Sequence, residues 1–210
     1  MPSHPRSHSV LWQHGRRWLG QLAARLLPRA CLLCEAPCLD QSLCEHCRDA
    51  LPGRGRLRCP RCALPLSSDP TSPTLPCPQC QQRPLALAAT VALADYLPPL
   101  DRALVALKFG QQLQLARGMR VHAPGACPPI RTDWLLRVRD TARQSSLPRT
   151  RRQKNLRGAF SVPDPDRVAG QRLALVDDVM TTGSTLDEAA QTLLAAGAAS
   201  VIALVVARTP

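Results

Sequence analysis

The stretch 176-VDDVMTTGST-185 decides how the chain folds. It follows 173-LALV-176, a short apolar run fit for a central parallel strand, and two adjacent acids close that run. Thr181 to Ser184 form a tight loop of small residues. Beyond it, 185-TLDEAAQTLLAAGA-198 places Leu186, Ala189, Ala190, Leu193, Leu194 and Gly197 on one helical face, and Thr185 with Glu188 fits a capping box. The segment 201-VIALVVA-207 returns as another buried strand. Strand, loop, helix and strand in this order predict a parallel α/β sheet, with a ligand at the C-terminal ends of its strands.

The residue types specify that ligand's chemistry. A loop running into a helix N-terminus turns several backbone N–H groups toward one point, where the helix dipole favours an anion. Thr181, Thr182, Ser184 and Thr185 add hydroxyl donors, and Gly183 lets the backbone approach a phosphate closely. Two carboxylates beside a phosphate would repel it unless they face hydroxyls or a divalent cation. A ribose 5-phosphate meets that demand, with its phosphate in the loop and its diol on Asp177 and Asp178. A nucleotide P-loop is excluded, since no G-x-x-x-x-G-K-[ST] occurs.

Working outward, 159-AFSV-162 is a short strand candidate. Further upstream, 86-ALAATVAL-93 reads as a buried strand. A helix is predicted over 98-PPLDRALVALKF-109, with proline in its first turn and Leu100, Ala103, Leu104 and Leu107 on one face.

The texture differs before residue 84. Nine of the ten cysteines lie between residues 31 and 80, and eight form the pairs 31-CLLC-34, 44-CEHC-47, 59-CPRC-62 and 77-CPQC-80. A C-x-x-C knuckle points two thiolates at one tetrahedral metal, and two knuckles close a site. Sequential pairing gives Cys31, Cys34, Cys44 and Cys47 to one Zn²⁺, and Cys59, Cys62, Cys77 and Cys80 to another. Such sites are structural and closed, since four thiolates leave no position for a substrate water. Cys38 is a spare buried thiol or a substitute ligand, and His46 lies inside a knuckle whose cysteines already fill the site. Cys127 carries no assigned role.

The chain has 210 residues with a formal charge of +12, and aromatics make up 3 % of it, so Leu, Ala and Val must fill the core. Residues 131–157 carry nine basic residues against Asp133 and Asp140. That run is either a solvated loop or a surface for phosphates, with Arg151, Arg152, Lys154 and Asn155 as candidate phosphate or nucleic-acid contacts. No run is long and apolar enough to span a membrane, and no signal peptide is evident, so a cytoplasmic chain with reduced cysteines is expected. The segment 10-VLWQHGRRWLGQLAARLL-27 sets Leu11, Trp18, Leu22 and Leu26 near one face, which suggests a basic amphipathic helix docked on the protein's own body. The expected organisation is that N-terminal segment (1–28), a double zinc ribbon (29–83) and an α/β domain (84–210).

The decapeptide resembles the phosphoribosyl-pyrophosphate (PRPP) motif of type I phosphoribosyltransferases. Together with the four knuckles, 94-ADYLPPLDRALVALKF-109 and 137-RVRDTARQSSLPRTRRQKNLRGAF-160, it resembles the ComF family over roughly residues 31–208. That resemblance implies a phosphoribosyltransferase-like parallel sheet behind a zinc-ribbon module. It implies PRPP with Mg²⁺ as the ligand: Asp177 and Asp178, the catalytic candidates, on the ribose hydroxyls, and Thr181, Thr182, Gly183, Ser184 and Thr185 on the 5′-phosphate. Gln144, Arg152 and Asn155 fall where the superfamily has a loop covering the site. It also implies a role in uptake of single-stranded DNA during natural competence, among competence machinery. The family's passage between the first helix and the Arg/Gln/Asn segment, with a Pro-Val-Pro-like turn and an Arg-Gly-Phe-Asn-Gln-like motif, has no counterpart in residues 110–136. A sheet short of one strand and a weakened pyrophosphate side are therefore expected. Three functions compete: a ribose-phosphate-binding protein of DNA uptake, an active phosphoribosyltransferase, and an inactive deletion variant.

Overall fold

The computed structural model describes residues 29–38, 43–66, 75–109, 129–139 and 157–210. The N-terminal amphipathic segment, Gln144, and the Arg151, Arg152, Lys154 and Asn155 group lie outside them. Two short strands, β1 (Arg29–Ala30) and β2 (Pro37–Cys38), pair antiparallel around the first knuckle. Two one-turn helices, α1 (Glu45–Asp49) and α2 (Pro78–Gln82), begin at the second knuckle of each cysteine set.

The α/β part contains β3 (Ala89–Asp95), α3 (Leu100–Phe109), the antiparallel pair β4 (Leu136–Arg137) and β5 (Phe160–Ser161), β6 (Arg172–Met180), α4 (Ser184–Ala195) and β7 (Ser200–Arg208). The expected parallel sheet is present, in the order β3-β7-β6. β7 is central and pairs parallel with both neighbours, setting Val176 opposite Leu204 and Val91 opposite that same Leu204.

The strand period of two separates the faces. Val201, Ala203 and Val205 are buried with Leu186, Ala190 and Leu193 of α4. On the opposite face Val91, Leu93 and Val176 are 58 %, 50 % and 76 % exposed, unusual for a parallel sheet, whose faces are normally both covered. With so few aromatics, the core is filled by Leu, Val, Ala and Met, and by cysteine: Cys59, Cys62, Cys77 and Cys80 belong to the same buried cluster as α4 and β7. Among the described residues no helix is long and apolar enough to cross a membrane.

Several boundaries differ from expectation, three of them with a clear cause. The strand predicted over 86–93 runs Ala89–Asp95, because residues 85–87 are held by side chains instead of the ladder: Ala86 N–H donates to Asp187 Oδ1 (2.6 Å), and Arg61 Nη1 donates to the carbonyls of Leu85 (3.1 Å) and Leu87 (3.2 Å). The strand predicted over 173–176 continues to Met180, so the two acids lie within β6 and not after it. The helix predicted over 185–198 is α4, one residue earlier at its start and ending at Ala195. There Gly197 (φ +97°) allows a closing turn in which Ala198 N–H donates to Leu193 O (3.0 Å) and Gly197 N–H to Leu194 O (3.0 Å).

Candidate functional site: two four-cysteine centres and an anion loop

The cysteine pairs converge as their spacing predicts. Sγ atoms of Cys31, Cys34, Cys44 and Cys47 all lie within 4.8 Å of one another, and so do those of Cys59, Cys62, Cys77 and Cys80. Cys34 and Cys44 sulfurs are 3.6 Å apart, and Cys62 and Cys77 sulfurs 3.7 Å. A tetrahedral zinc with bonds of about 2.3 Å requires sulfur separations of about 3.8 Å, so the donor sets fit the ion. The knuckles repeat in backbone detail. Cys31 N–H donates to Ala36 O (2.7 Å) and Cys59 N–H to Leu64 O (2.9 Å), with Glu35 (φ +61°) and Ala63 (φ +55°) left-handed at equivalent positions.

The thiols are also polarised for metal. Burial raises the Cys31 thiol, yet backbone N–H groups of Cys44, Leu33 and Cys34 outweigh it and bring the pKa to about 6. Burial likewise opposes, and the N–H groups of Cys77, Cys62 and Arg61 override, at Cys59, which falls to about 7. The same clusters drive Cys47 upward, through its hydrogen bond with Cys34 and burial, and Cys80 upward, through burial and its hydrogen bond with Cys62. Four thiolates in one site repel, and a divalent cation relieves that repulsion. Cys38 is buried against Cys31 and Cys47 and donates to Ala36 O (3.5 Å), but is not one of the four converging sulfurs; His46 is exposed.

The two centres differ in exposure. In the first, Cys34 is exposed and Cys44 half-buried; in the second all four are buried. Thr90 N–H donates to Pro60 O (3.0 Å) and Thr90 Oγ1 to Arg61 O (2.7 Å), so the knuckle of the second centre lies along β3.

At the C-terminal end of β6 a small open cleft is lined by Asp177, Val179, Met180 and every residue from Thr181 to Leu186. The five loop residues named from the sequence are therefore brought together with Asp177. Asp178 is not among the lining residues, because adjacent strand residues point to opposite faces. Gly183 sits at φ +79° as the N-cap of α4 and supplies no side chain to it. The expected capping box does not form: the helix starts at Ser184, and Glu188 Oε1 accepts instead from Gly158 N–H (2.7 Å). The N-cap residue Gly183 supplies no side-chain cap, and Ser184 N–H reaches Thr182 Oγ1 only at 3.4 Å, which leaves the first turn of α4 suited to an incoming anion. Thr182 Oγ1 and Ser184 Oγ are 2.9 Å apart, converging two hydroxyls on the loop.

The basic stretch is partly visible around β4 and β5. Arg131 stacks over Trp134 (5.7 Å to the centroid), Arg137 over Phe160 (6.0 Å), and Arg139 Nη1 donates to Arg157 O (3.0 Å).

Sequence reasoning missed Arg208 and Asp95. Arg208 ends β7, is 5 % exposed, and reaches carbonyls of Cys62, Met180 and Thr181. Asp95 ends β3, is fully buried, and pairs with Arg58 (2.8 Å) and Arg56 (3.5 Å). A charged residue closing an otherwise apolar strand was the available signal for both.

Comparison with known proteins gives the same picture. A family described as "Phosphoribosyl transferase domain" matches residues 137–210. The chain is 32 % identical to "DNA utilization protein YhgH" of Salmonella typhimurium, over 87 % of this chain and 98 % of that protein. It is 31 % identical to "DNA utilization protein YhgH" of Escherichia coli K12 with the same coverage. "Competence protein F" of Haemophilus influenzae is 45 % identical over 58 residues, 27 % of this chain and 25 % of that protein. No solved structure matches. A match of this identity across nearly the whole length of its relatives, on a fold that joins cysteine centres to a phosphoribosyl transferase domain, shows that the chain belongs to the ComF family.

Proposed function

We propose that this protein binds a ribose 5-phosphate group in the 181–185 loop and serves the handling of incoming DNA. The observation that carries this reading is the N-terminus of α4, with a glycine as its N-cap, at the C-terminal end of a parallel strand, with Asp177 in the wall of the same cleft. PRPP is the proposed ligand: Thr181, Thr182, Gly183, Ser184 and Thr185 take its 5′-phosphate, and Asp177, the acid that lines the cleft, faces the ribose diol, so that of the two expected acids Asp178 is left outside the contact. Mg²⁺ would neutralise the pyrophosphate, and the two centres would hold structural zinc. The names of the relatives, in DNA utilization and competence, support the cellular role.

Calorimetry with PRPP and Mg²⁺ on the zinc-loaded chain tests the ligand. Binding in the range of about 1–100 µM is expected. In Gly183→Val it should weaken at least tenfold, because φ +79° disfavours a β-branched residue and a Cβ would lie 2.4 Å from Met180 Cε. Absence of heat and of any thermal shift at millimolar PRPP would sink the reading and favour an inactive variant. Pyrophosphate release with a panel of bases would instead establish a transferase, the alternative supported by the domain match.

For the nucleic-acid side, the supporting observation is the arginine-rich surface of β4 and β5, with Arg131 and Arg137 placed over aromatic rings. Binding of single-stranded DNA should fall steeply with salt. Charge reversal of Arg151, Arg152 and Lys154 together should weaken it about tenfold or more; unchanged affinity would remove this segment from the interface.

A further inference from the structure

The second cysteine centre and the anion loop are wired to each other through one buried cation. Arg208 Nε donates to the carbonyl of Cys62, a member of the second centre (2.8 Å). Its Nη1 donates to the carbonyls of Met180 (3.2 Å) and Thr181 (2.6 Å), and also to that of Thr209. Arg208 does not line the cleft, so it holds the loop from behind. In a trans peptide the C=O and the following N–H point in opposite directions. Fixing the Met180 and Thr181 carbonyls on Arg208 therefore turns the N–H groups of Thr181 and Thr182 away from it, on the side left for a ligand.

A second connection runs in parallel. Arg61, between Cys59 and Cys62, grips the carbonyls of Leu85 and Leu87, and Asp187 in the first turn of α4 accepts from Ala86 N–H between them. The start of α4 is thereby tied to the same knuckle. Charge gives the arrangement its logic. A buried guanidinium is costly without a counter-charge, and among the described residues Arg208 has only carbonyl partners. Zinc with four thiolates carries about −2, and the second centre would supply that charge across the Cys62 peptide.

We propose that Arg208 is a positioning residue coupling the second four-cysteine centre to the anion loop, so that metal at this centre sets the loop's affinity for a phosphate group. The coupling rests on the ribose-phosphate reading of the loop. It assigns no such influence to the first centre.

The test uses the full zinc-loaded chain, with ribose 5-phosphate and inorganic phosphate as probes. Arg208→Met is expected to bind ribose 5-phosphate at least tenfold more weakly while still holding two zinc ions per chain. Arg208→Lys, which keeps the charge without the fork, should fall between. Coupling is reciprocal for affinities, so in the wild-type protein saturating ribose 5-phosphate should tighten zinc at the second centre, and the tighter ion is expected to pass to a chromophoric chelator at least threefold more slowly. The faster phase, from the more exposed first centre, should not change. That arm needs no variant and decides the matter if Arg208→Met does not fold. Equal affinity in wild type and Arg208→Met, or a slow zinc phase indifferent to ligand, overturns the coupling. A wild-type chain that binds neither probe overturns the ribose-phosphate reading and the coupling with it, an outcome distinct from a binding wild type with an uncoupled Arg208.

Discussion

Cys59→Ser is expected to destabilise the α/β part of the protein, not merely its zinc module. Cys59 is fully buried in the cluster that contains Leu186 and Leu193 of α4 and Val201 of β7. Apparent zinc-binding free energies of about 10–16 kcal/mol in small structural sites are comparable with the whole stability of a domain, about 5–15 kcal/mol. Losing one of four ligands there removes a large share of both. A deficit of about 5 kcal/mol would lower the melting temperature by roughly 10–20 °C in a chain of this size. Cys34→Ser, at the exposed corner of the first centre, should leave the sheet's melt nearly in place while weakening zinc at that centre. Circular dichroism melts with zinc stoichiometry separate the two. A Cys59→Ser protein that melts within a few degrees of wild type would show that the second centre is not part of the core.

Asp95→Ala should cost about 3–5 kcal/mol, because it leaves a largely buried arginine uncompensated. Arg58 keeps only 13 % of its side chain exposed and otherwise reaches the carbonyls of Ala63 (3.1 Å) and Gly53 (3.0 Å). Among the described residues the Asp95 oxygens accept no hydrogen bond of good angle, so the pairing with Arg58 at 2.8 Å is ionic in character. Asp95 N–H donates to Pro52 O (2.7 Å), and a Cβ on Gly53 would lie 2.1 Å from Asp95 Oδ2. The loop between the two cysteine centres is thus welded onto the end of β3. Asp95→Asn keeps the volume and removes the charge, and it should lose most of the same stability. A denaturant midpoint unchanged in both variants would show that the pair contributes nothing net.

The relatives bear on the short sheet. Their alignment runs over 231 positions, more than the 210 residues of this chain. Since it uses 87 % of the chain, about 183 residues, roughly 48 aligned positions have no counterpart here. This agrees with the motifs that residues 110–136 lack. It also agrees with a three-stranded sheet, among the described residues, whose face bearing Val91, Leu93 and Val176 is open.

What the sequence by itself determined is what short-range pattern can carry. The four knuckles were legible because two cysteines three residues apart need only a local turn to converge, and both centres form as paired. The β6–α4–β7 crossover was legible because alternation, helical periodicity and the TTGST loop lie within forty consecutive residues. The strand ends were not, since a strand stops where its partner stops, and β6 reaches Met180 only because β7 runs alongside to Arg208. The capping box failed for the same reason: Glu188 found a partner thirty residues away in Gly158. Tertiary structure alone decided that Asp177 and not Asp178 lines the cleft, that the second centre is core, and that Arg208 reaches back across 146 residues of sequence to Cys62 while holding Thr181. Buried charges are satisfied by whatever polar group the fold brings near, and no spacing in the sequence records which group that is.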